Sequence, residues 1–345
     1  MPKWGISVGE HSGDALGAEV LSLGLFNVKW EGTGGPKMQA LGFSSQVEFQ
    51  TLNVSGFTAV LPKLPKLIAL KKWWQKKLAS GEFERLVLID YAEFNLQLAQ
   101  LAKKFGVPVF FLAPPQMWAW RENRKVKLQG VFLGTLFGFE SQLYKEWGLL
   151  AEQIGFHGKA NSIEKKNGTL ALYPGSRPHR YKNQAPVFQI IANWCLEEGL
   201  FEKCIWIAPD EPTRIELKNI VEGEVRVSKE KVEMEFALTV PGTNALFLAM
   251  KNIPFLAVMK VSKGKLWMGN RLLKGKSTLL SNWIQKEKKY PEVFFTKFSP
   301  NLKASLLQKV KLERQCSLEM DYEELLQTKT FKQNLKNWLD KEHHG

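Results

Sequence analysis

Short apolar runs, free of charge and mostly closed by Gly- or Pro-containing loops, recur along the chain. They cover Trp4 to Val8, Leu86 to Ile89 and Val107 to Leu112 in the first half. In the second half they cover Leu170 to Tyr173, Ile205 to Ala208, Ala237 to Val240 and Phe255 to Val258. Such runs, without polar alternation, predict strands of a parallel sheet covered on both faces. Helical spacing separates them, as at Phe94, Leu98 and Leu101, so the chain reads as successive βαβ units. The polar stretch from Lys159 to Thr169 predicts a linker. Two doubly wound α/β domains are therefore expected, 1–162 and 163–325. In the tail, 326–345, Phe331, Leu335, Trp338 and Leu339 share one helical face, which predicts a helix docked back on the N-terminal domain.

In doubly wound folds ligands sit beyond the carboxyl ends of the strands, and this selects five loops. The first holds Ser12, Gly13 and Asp14; its glycines admit close approach of a ligand, and Ser12 or Asp14 equally suits a helix cap. In the second, Asp90 stands at a strand tip as a candidate general base, and Glu93 opens the next helix, where an acid is also simply favoured. The third, Pro114 to Arg121, carries Gln116, Trp118 and Arg121, a set suited to stacking on a sugar and pairing with phosphate, or to packing between domains. The fourth has Gly175, Ser176 and Arg177, and the fifth Gly242, Thr243 and Asn244. Two Gly turns opening helices in one domain suggest a nucleotide diphosphate held at paired helix N-termini.

Composition changes the picture mainly through charge. Among 345 residues, 48 Lys and Arg against 34 Asp and Glu give +14, alongside 12 Trp, which implies an anionic partner. From Leu61 to Leu78 there are six lysines and no acid. Lys66, Leu67, Leu70, Lys71, Trp73 and Trp74 in this stretch suit a helix lying in a membrane interface; an ordinary surface helix is the alternative. The three scattered cysteines predict a reducing compartment and no disulfide framework. The only apolar run before Glu10 is the short Trp4 to Val8, less than a signal peptide needs, so none is expected. The uncharged stretch from Val107 to Trp120 is too short and too rich in proline to span a bilayer. The five histidines lack ligand spacing, so no metal is expected. Neither G-x-G-x-x-G nor a complete Walker A loop is present, and no recognition-helix or ribonucleoprotein motif supports a nucleic-acid partner.

The segments GEHSGDALGA, GTGGPKMQALGF, LIDYAEFN, PPQMWAWR, LYPGSR and PGTNAL, with Asn282 and Pro291-Glu292, stand in an order that resembles the lipid-A-disaccharide synthases. These are inverting glycosyltransferases of GT-B architecture, with two Rossmann-like domains facing across a cleft. The resemblance implies a peripheral enzyme on the cytoplasmic face of the inner membrane, with its anionic lipids. It would join UDP-2,3-diacylglucosamine to 2,3-diacylglucosamine 1-phosphate through a β-1′,6 link, release UDP and use no cofactor. Asp90 would be the base; Gly175, Ser176, Arg177, Gly242, Thr243, Asn244 and Asn282 would hold the donor. Ser12, Gly13, Asp14, Glu93, Gln116, Trp118 and Arg121 would surround the acceptor. The chain departs from the family at His11, Glu93, Ala59, Pro241, Ser281 and Phe247, the last replacing an acid expected at the nucleotide ribose. These departures leave open another UDP-sugar transferase or epimerase of the same fold, or a non-catalytic membrane-bound homologue.

Overall fold

A computed structural model describes residues 1–24, 28–52, 64–117, 122–158, 163–228, 230–273, 276–286, 289–316, 322 and 326–341. The chain forms two compact units, Met1–His157 together with Glu323–Gly345, and Gly158–Tyr322.

The first unit runs β1 (Lys3–Val8), α1 (His11–Ser22), β2 (Lys29–Thr33), α2 (Pro36–Gln39), α3 (Phe49–Leu52), α4 (Leu64–Ala79), β3 (Arg85–Ile89), α5 (Ala92–Lys104), β4 (Val109–Leu112), β5 (Phe132–Thr135), α6 (Gly138–Glu146) and β6 (Ala151–Gln153). Its parallel sheet has the order β2-β1-β3-β4-β5-β6. Side chains alternate across a strand, and both faces are covered. Leu86, Leu88 and Phe111 pack beneath α4 and α5, while Ile6, Val8, Val87, Ile89, Phe110 and Leu112 pack beneath α1.

The second unit runs β7 (Ile163–Tyr173), α7 (Pro178–Glu197), β8 (Lys203–Ala208), α8 (Glu211–Lys218), β9 (Glu224–Val227), β10 (Val232–Thr239), α9 (Thr243–Met250), β11 (Phe255–Lys260), α10 (Lys263–Leu273), α11 (Leu280–Ile284), β12 (Glu292–Phe295) and α12 (Pro300–Arg314). Its parallel order is β12-β11-β10-β7-β8-β9. Trp206, Phe236 and Leu238 meet α7 through Tyr181 and Phe188, and α12 through Leu306 and Val310. The chain then returns to the first unit as α13 (Phe331–Leu339), whose Phe331, Leu335, Trp338 and Leu339 are buried in the α1 side of that core.

Two expectations are corrected. The stretch from Lys159 to Thr169 is not all linker: Ile163 to Thr169 is the first part of β7, with Ile163 opposite Val232 and Glu164 opposite Glu233. Lys166 pairs with Glu233 at 2.6 Å and Lys231 with Glu164 at 2.8 Å. The polar composition there reflects exposure, and opposite charges across the ladder replace apolar pairing.

The second correction concerns α4. Leu70, Trp74 and Leu78, four residues apart, form its buried face, and Trp74 is 0% exposed. Leu70 and Trp74 are therefore core residues and not lipid contacts. Trp73 is half-buried against Trp74, with ring centroids 4.8 Å apart, and Leu67 is also half-buried. Lys66 is exposed, and exposed Lys71 donates to Gln97 Oε1 at 3.0 Å. The large apolar side chains that α4 does expose are Leu64 (45%) and Ile68 (48%), in a shallow depression lined also by Pro65, Ala69 and Lys72.

Candidate active site

Each sheet reverses its strand order beside its first strand, between β1 and β3 and between β7 and β10. The crevice at such a reversal is where doubly wound sheets bind ligands. Asp90 with Ser12 and Gly13 stands at the first of these places, and the residues of the two glycine loops stand at the second.

In the first unit Asp90 closes β3. Its N–H donates to Leu112 O at 3.0 Å. Asp90 and Tyr91 lie in the left-handed region, with φ of 52° and 51°, a strained pair for non-glycine residues. Asn95 holds this corner: fully buried, its Nδ2 donates to Asp90 O at 2.8 Å and to Ser7 O and Ile89 O at 3.3 Å, while its Oδ1 accepts from Ser7 Oγ at 2.7 Å. The Asp90 carboxylate is thereby projected from a fixed backbone. Its Oδ2 accepts from Ser12 Oγ at 2.5 Å. Gly13 lets α1 approach, because a Cβ there would stand 3.2 Å from Ile89 O and 3.3 Å from Asp90 Cβ. Tyr91 packs on Phe94 with centroids 5.5 Å apart, and burial, with the Glu10 charge, pushes its hydroxyl up to about 12.

Other residues expected around an acceptor have different surroundings. Ser12 binds Asp90 and caps nothing. Asp14 is buried, and its carboxylate accepts from the N–H groups of Gly35 (2.9 Å), Lys37 (2.9 Å) and Met38 (3.2 Å). It caps α2, across the sequence. Gly35 is required there, since a Cβ would fall 2.5 Å from Asp14 Cγ. Glu93 is exposed and ion-paired with Arg124. Gln116 is exposed on a turn pinned by Pro115, whose carbonyl accepts from Met117 N–H and from Tyr144 Oη, both at 2.7 Å. Trp118 and Arg121, like Ala59, lie outside the described residues.

In the second unit the loops after β7 and β10 enclose a cavity of about 290 Å³. Gly175, Ser176, Arg177, Gly242, Thr243 and Asn244 all line it. The helices α7 and α9 begin here, and the first N–H groups of a helix have no partner within it. Their partial positive charge favours an anion. Gly175 has φ of +108°, and a Cβ there would meet Arg180 Cδ at 2.7 Å.

Arg180, which no sequence motif marks, also lines the cavity. Its Nη1 donates to Pro241 O at 3.3 Å, joining the two loops, and its buried Nε has no partner among the described residues. Burial and the neighbouring Arg177 charge lower its pKa. Asn282, expected to bind the donor, instead uses its amide internally. Nδ2 donates to Ser277 Oγ and Tyr290 O, both at 2.9 Å, and Oδ1 accepts from Tyr290 N–H at 2.8 Å. Phe247 is half-buried on α9. Among the described residues no three His, Cys, Asp or Glu side chains gather as metal ligands, and no helix is long and apolar enough to cross a membrane.

Comparison with known proteins adds a family and a fold. Residues 5–343 match the family model described as lipid-A-disaccharide synthetase. The chain is 29% identical over 337 residues to the lipid-A-disaccharide synthase of Neisseria meningitidis, covering 89% of this chain and 88% of that one. It is 26% identical over 326 residues to that of Saccharophagus degradans, covering 86% and 84%. Among solved structures it is similar to the Methanocaldococcus jannaschii UDP-GlcNAc 2-epimerase in complex with UDP-GlcNAc and UDP, with a TM-score of 0.55, 12% identity and coverage of 92% and 94%. It is also similar to Acinetobacter baumannii MurG, with a TM-score of 0.53, 10% identity and coverage of 98% and 99%.

Proposed function

Because the chain belongs to the lipid-A-disaccharide synthetase family, we propose that it is a glycosyltransferase joining UDP-2,3-diacylglucosamine to 2,3-diacylglucosamine 1-phosphate. The product is the β-1′,6-linked disaccharide 1-phosphate, and UDP leaves. The observation that carries this reading is the pairing of chemistries at the two strand-order reversals: a fixed carboxylate in one unit and a cationic, helix-capped anion cavity in the other.

Asp90 takes the proton from the acceptor 6-hydroxyl as its oxygen attacks the donor sugar C1. The bond from C1 to the UDP oxygen breaks on the opposite face, which inverts the anomeric centre. Ser12 holds Asp90 Oδ2 and leaves Oδ1, without another partner among the described residues, to meet the hydroxyl. The negative charge growing on the departing diphosphate is stabilised by the first turns of α7 and α9, by Arg177 and by Arg180. Both substrates are acylated and anionic, and the exposed Leu64 and Ile68 beside Lys66, Lys71 and Lys72 support binding to the anionic inner-membrane surface from the cytoplasmic side.

Purified chain in mild detergent with the two acylated sugars is expected to release UDP and form the tetraacyl disaccharide 1-phosphate, followed by mass spectrometry. UDP binding without product would overturn the substrate assignment, and loss of both would overturn the synthase reading. Arg180→Ala is expected to weaken UDP binding about tenfold in calorimetry, as for the loss of one charged hydrogen-bonding partner. An unchanged Kd would restrict Arg180 to joining the two loops.

A further inference from the structure

The second unit carries an exposed basic helix of its own. The helix α10 reads KGKLWMGNRLL, and none of its described residues is buried. Trp267 is 64% exposed and Met268 48%, although both are residues that normally seek burial. The Arg271 guanidinium lies 5.5 Å from the Trp267 ring. An eleven-residue helix containing Gly264 and Gly269 has little intrinsic stability, and such helices usually owe their persistence to packing of an apolar face. Here Trp267 and Met268 remain largely uncovered by the described residues.

The surrounding charge narrows what covers them. From Phe236 to Lys286 the sequence contains seven lysines and one arginine and no acid. A protein partner with mixed charges finds nothing to pair with its cations over this stretch, whereas a uniformly anionic surface does. Tryptophan and flanking basic side chains are the composition of a helix lying at the boundary of headgroups and acyl chains. Lysine and arginine can keep their stems along the apolar side and their heads at the phosphates.

We propose that α10 docks on an anionic bilayer surface, with Trp267 and Met268 entering the interface and Lys263, Lys265 and Arg271 facing the lipid phosphates. This contact belongs to the second unit and is additional to that of α4. It rests on the reading that the substrates lie in a membrane, and its test separates the two.

The test uses the full chain carrying Cys316→Ser, which removes the exposed thiol, and Met268→Cys labelled with a polarity-sensitive fluorophore. A parallel chain carries the label through Ile68→Cys on α4. With vesicles of phosphatidylcholine containing about one third phosphatidylglycerol, the probe at position 268 is expected to shift to the blue; with phosphatidylcholine alone it is not. Lys263→Gln with Lys265→Gln and Arg271→Gln is expected to lower its partitioning on the order of one hundredfold, at roughly fivefold per cation near an anionic surface. A shift at position 68 with none at position 268 would overturn this proposal and leave the membrane reading standing. No shift at either would overturn both. A shift at position 268 caused equally by soluble RNA or an acidic peptide, but not by vesicles, would assign α10 to a polyanion and overturn the lipid.

Discussion

Asp90→Asn is expected to lower kcat about a thousandfold while leaving KM and the melting temperature nearly unchanged. General bases contribute roughly 10²- to 10⁴-fold. The asparagine oxygen can still accept from Ser12 Oγ, and the Asn95 clamp acts on the Asp90 backbone carbonyl, which the substitution keeps. Geometry and binding should therefore survive, and only the capacity to take up a proton is removed. Loss confined to kcat is the signature of an interaction made in the transition state. A kcat within threefold of the parent would remove Asp90 from the base role. A collapse of the fold would instead mean that the left-handed pair at Asp90 and Tyr91 depends on the ionised side chain. The melting temperature, measured on the same preparation, separates these outcomes, and unchanged UDP affinity shows that the anion cavity of the other unit is intact.

The strands at the centre of each sheet were legible because continuous apolar runs mean burial on both faces. Four of the five strands that the pattern did not reveal, β2, β6, β9 and β12, are the sheet edges. They alternate or carry charges, as Lys29-Trp30-Glu31 and Glu224-Val225-Arg226 do. The fifth, β5, is interrupted by Gly134, where a Cβ would fall 2.9 Å from Ile154 and 3.0 Å from Trp338. Asp90 and the two glycine loops were legible for a related reason, since an acid or a Gly turn directly after a strand falls at the ligand end of such a sheet. Asp14 and Asn282 stood in the quoted motifs, yet their polar atoms bond backbone groups, and for Asn282 also Ser277 Oγ, that only the fold brings near. Asn95 and Arg180 were not singled out. One acts through a backbone carbonyl, and the other lies inside a helix, where spacing alone does not distinguish it from a surface arginine.

Trp74→Ala is expected to destabilise the protein by about 3–5 kcal/mol, the range for removing a fully buried large aromatic side chain, read from the urea midpoint. In the sequence this tryptophan is flanked by lysines and looks interfacial. The fold instead lays its ring over glycines: a Cβ at Gly5 would stand 3.0 Å from Trp74 Cζ3, and one at Gly32 3.0 Å from Cη2. Those two strand glycines, far from Trp74 in sequence, make the space that turns it inward. Its indole Nε1 is buried without a partner among the described residues, an unfavourable feature that phenylalanine lacks. Trp74→Phe should therefore recover a large part of the lost stability, a result that a hydrogen-bonding role for the indole would not allow. Ile68→Ser, on the exposed side of the same helix, should leave the urea midpoint in place and reduce binding to anionic vesicles. If Trp74→Ala lost vesicle binding at unchanged stability, the lipid face of α4 would have to be moved back onto Trp74. If it lowers the urea midpoint as expected while the folded protein still binds vesicles, the membrane contact of this helix is carried by Leu64, Ile68 and their neighbouring lysines.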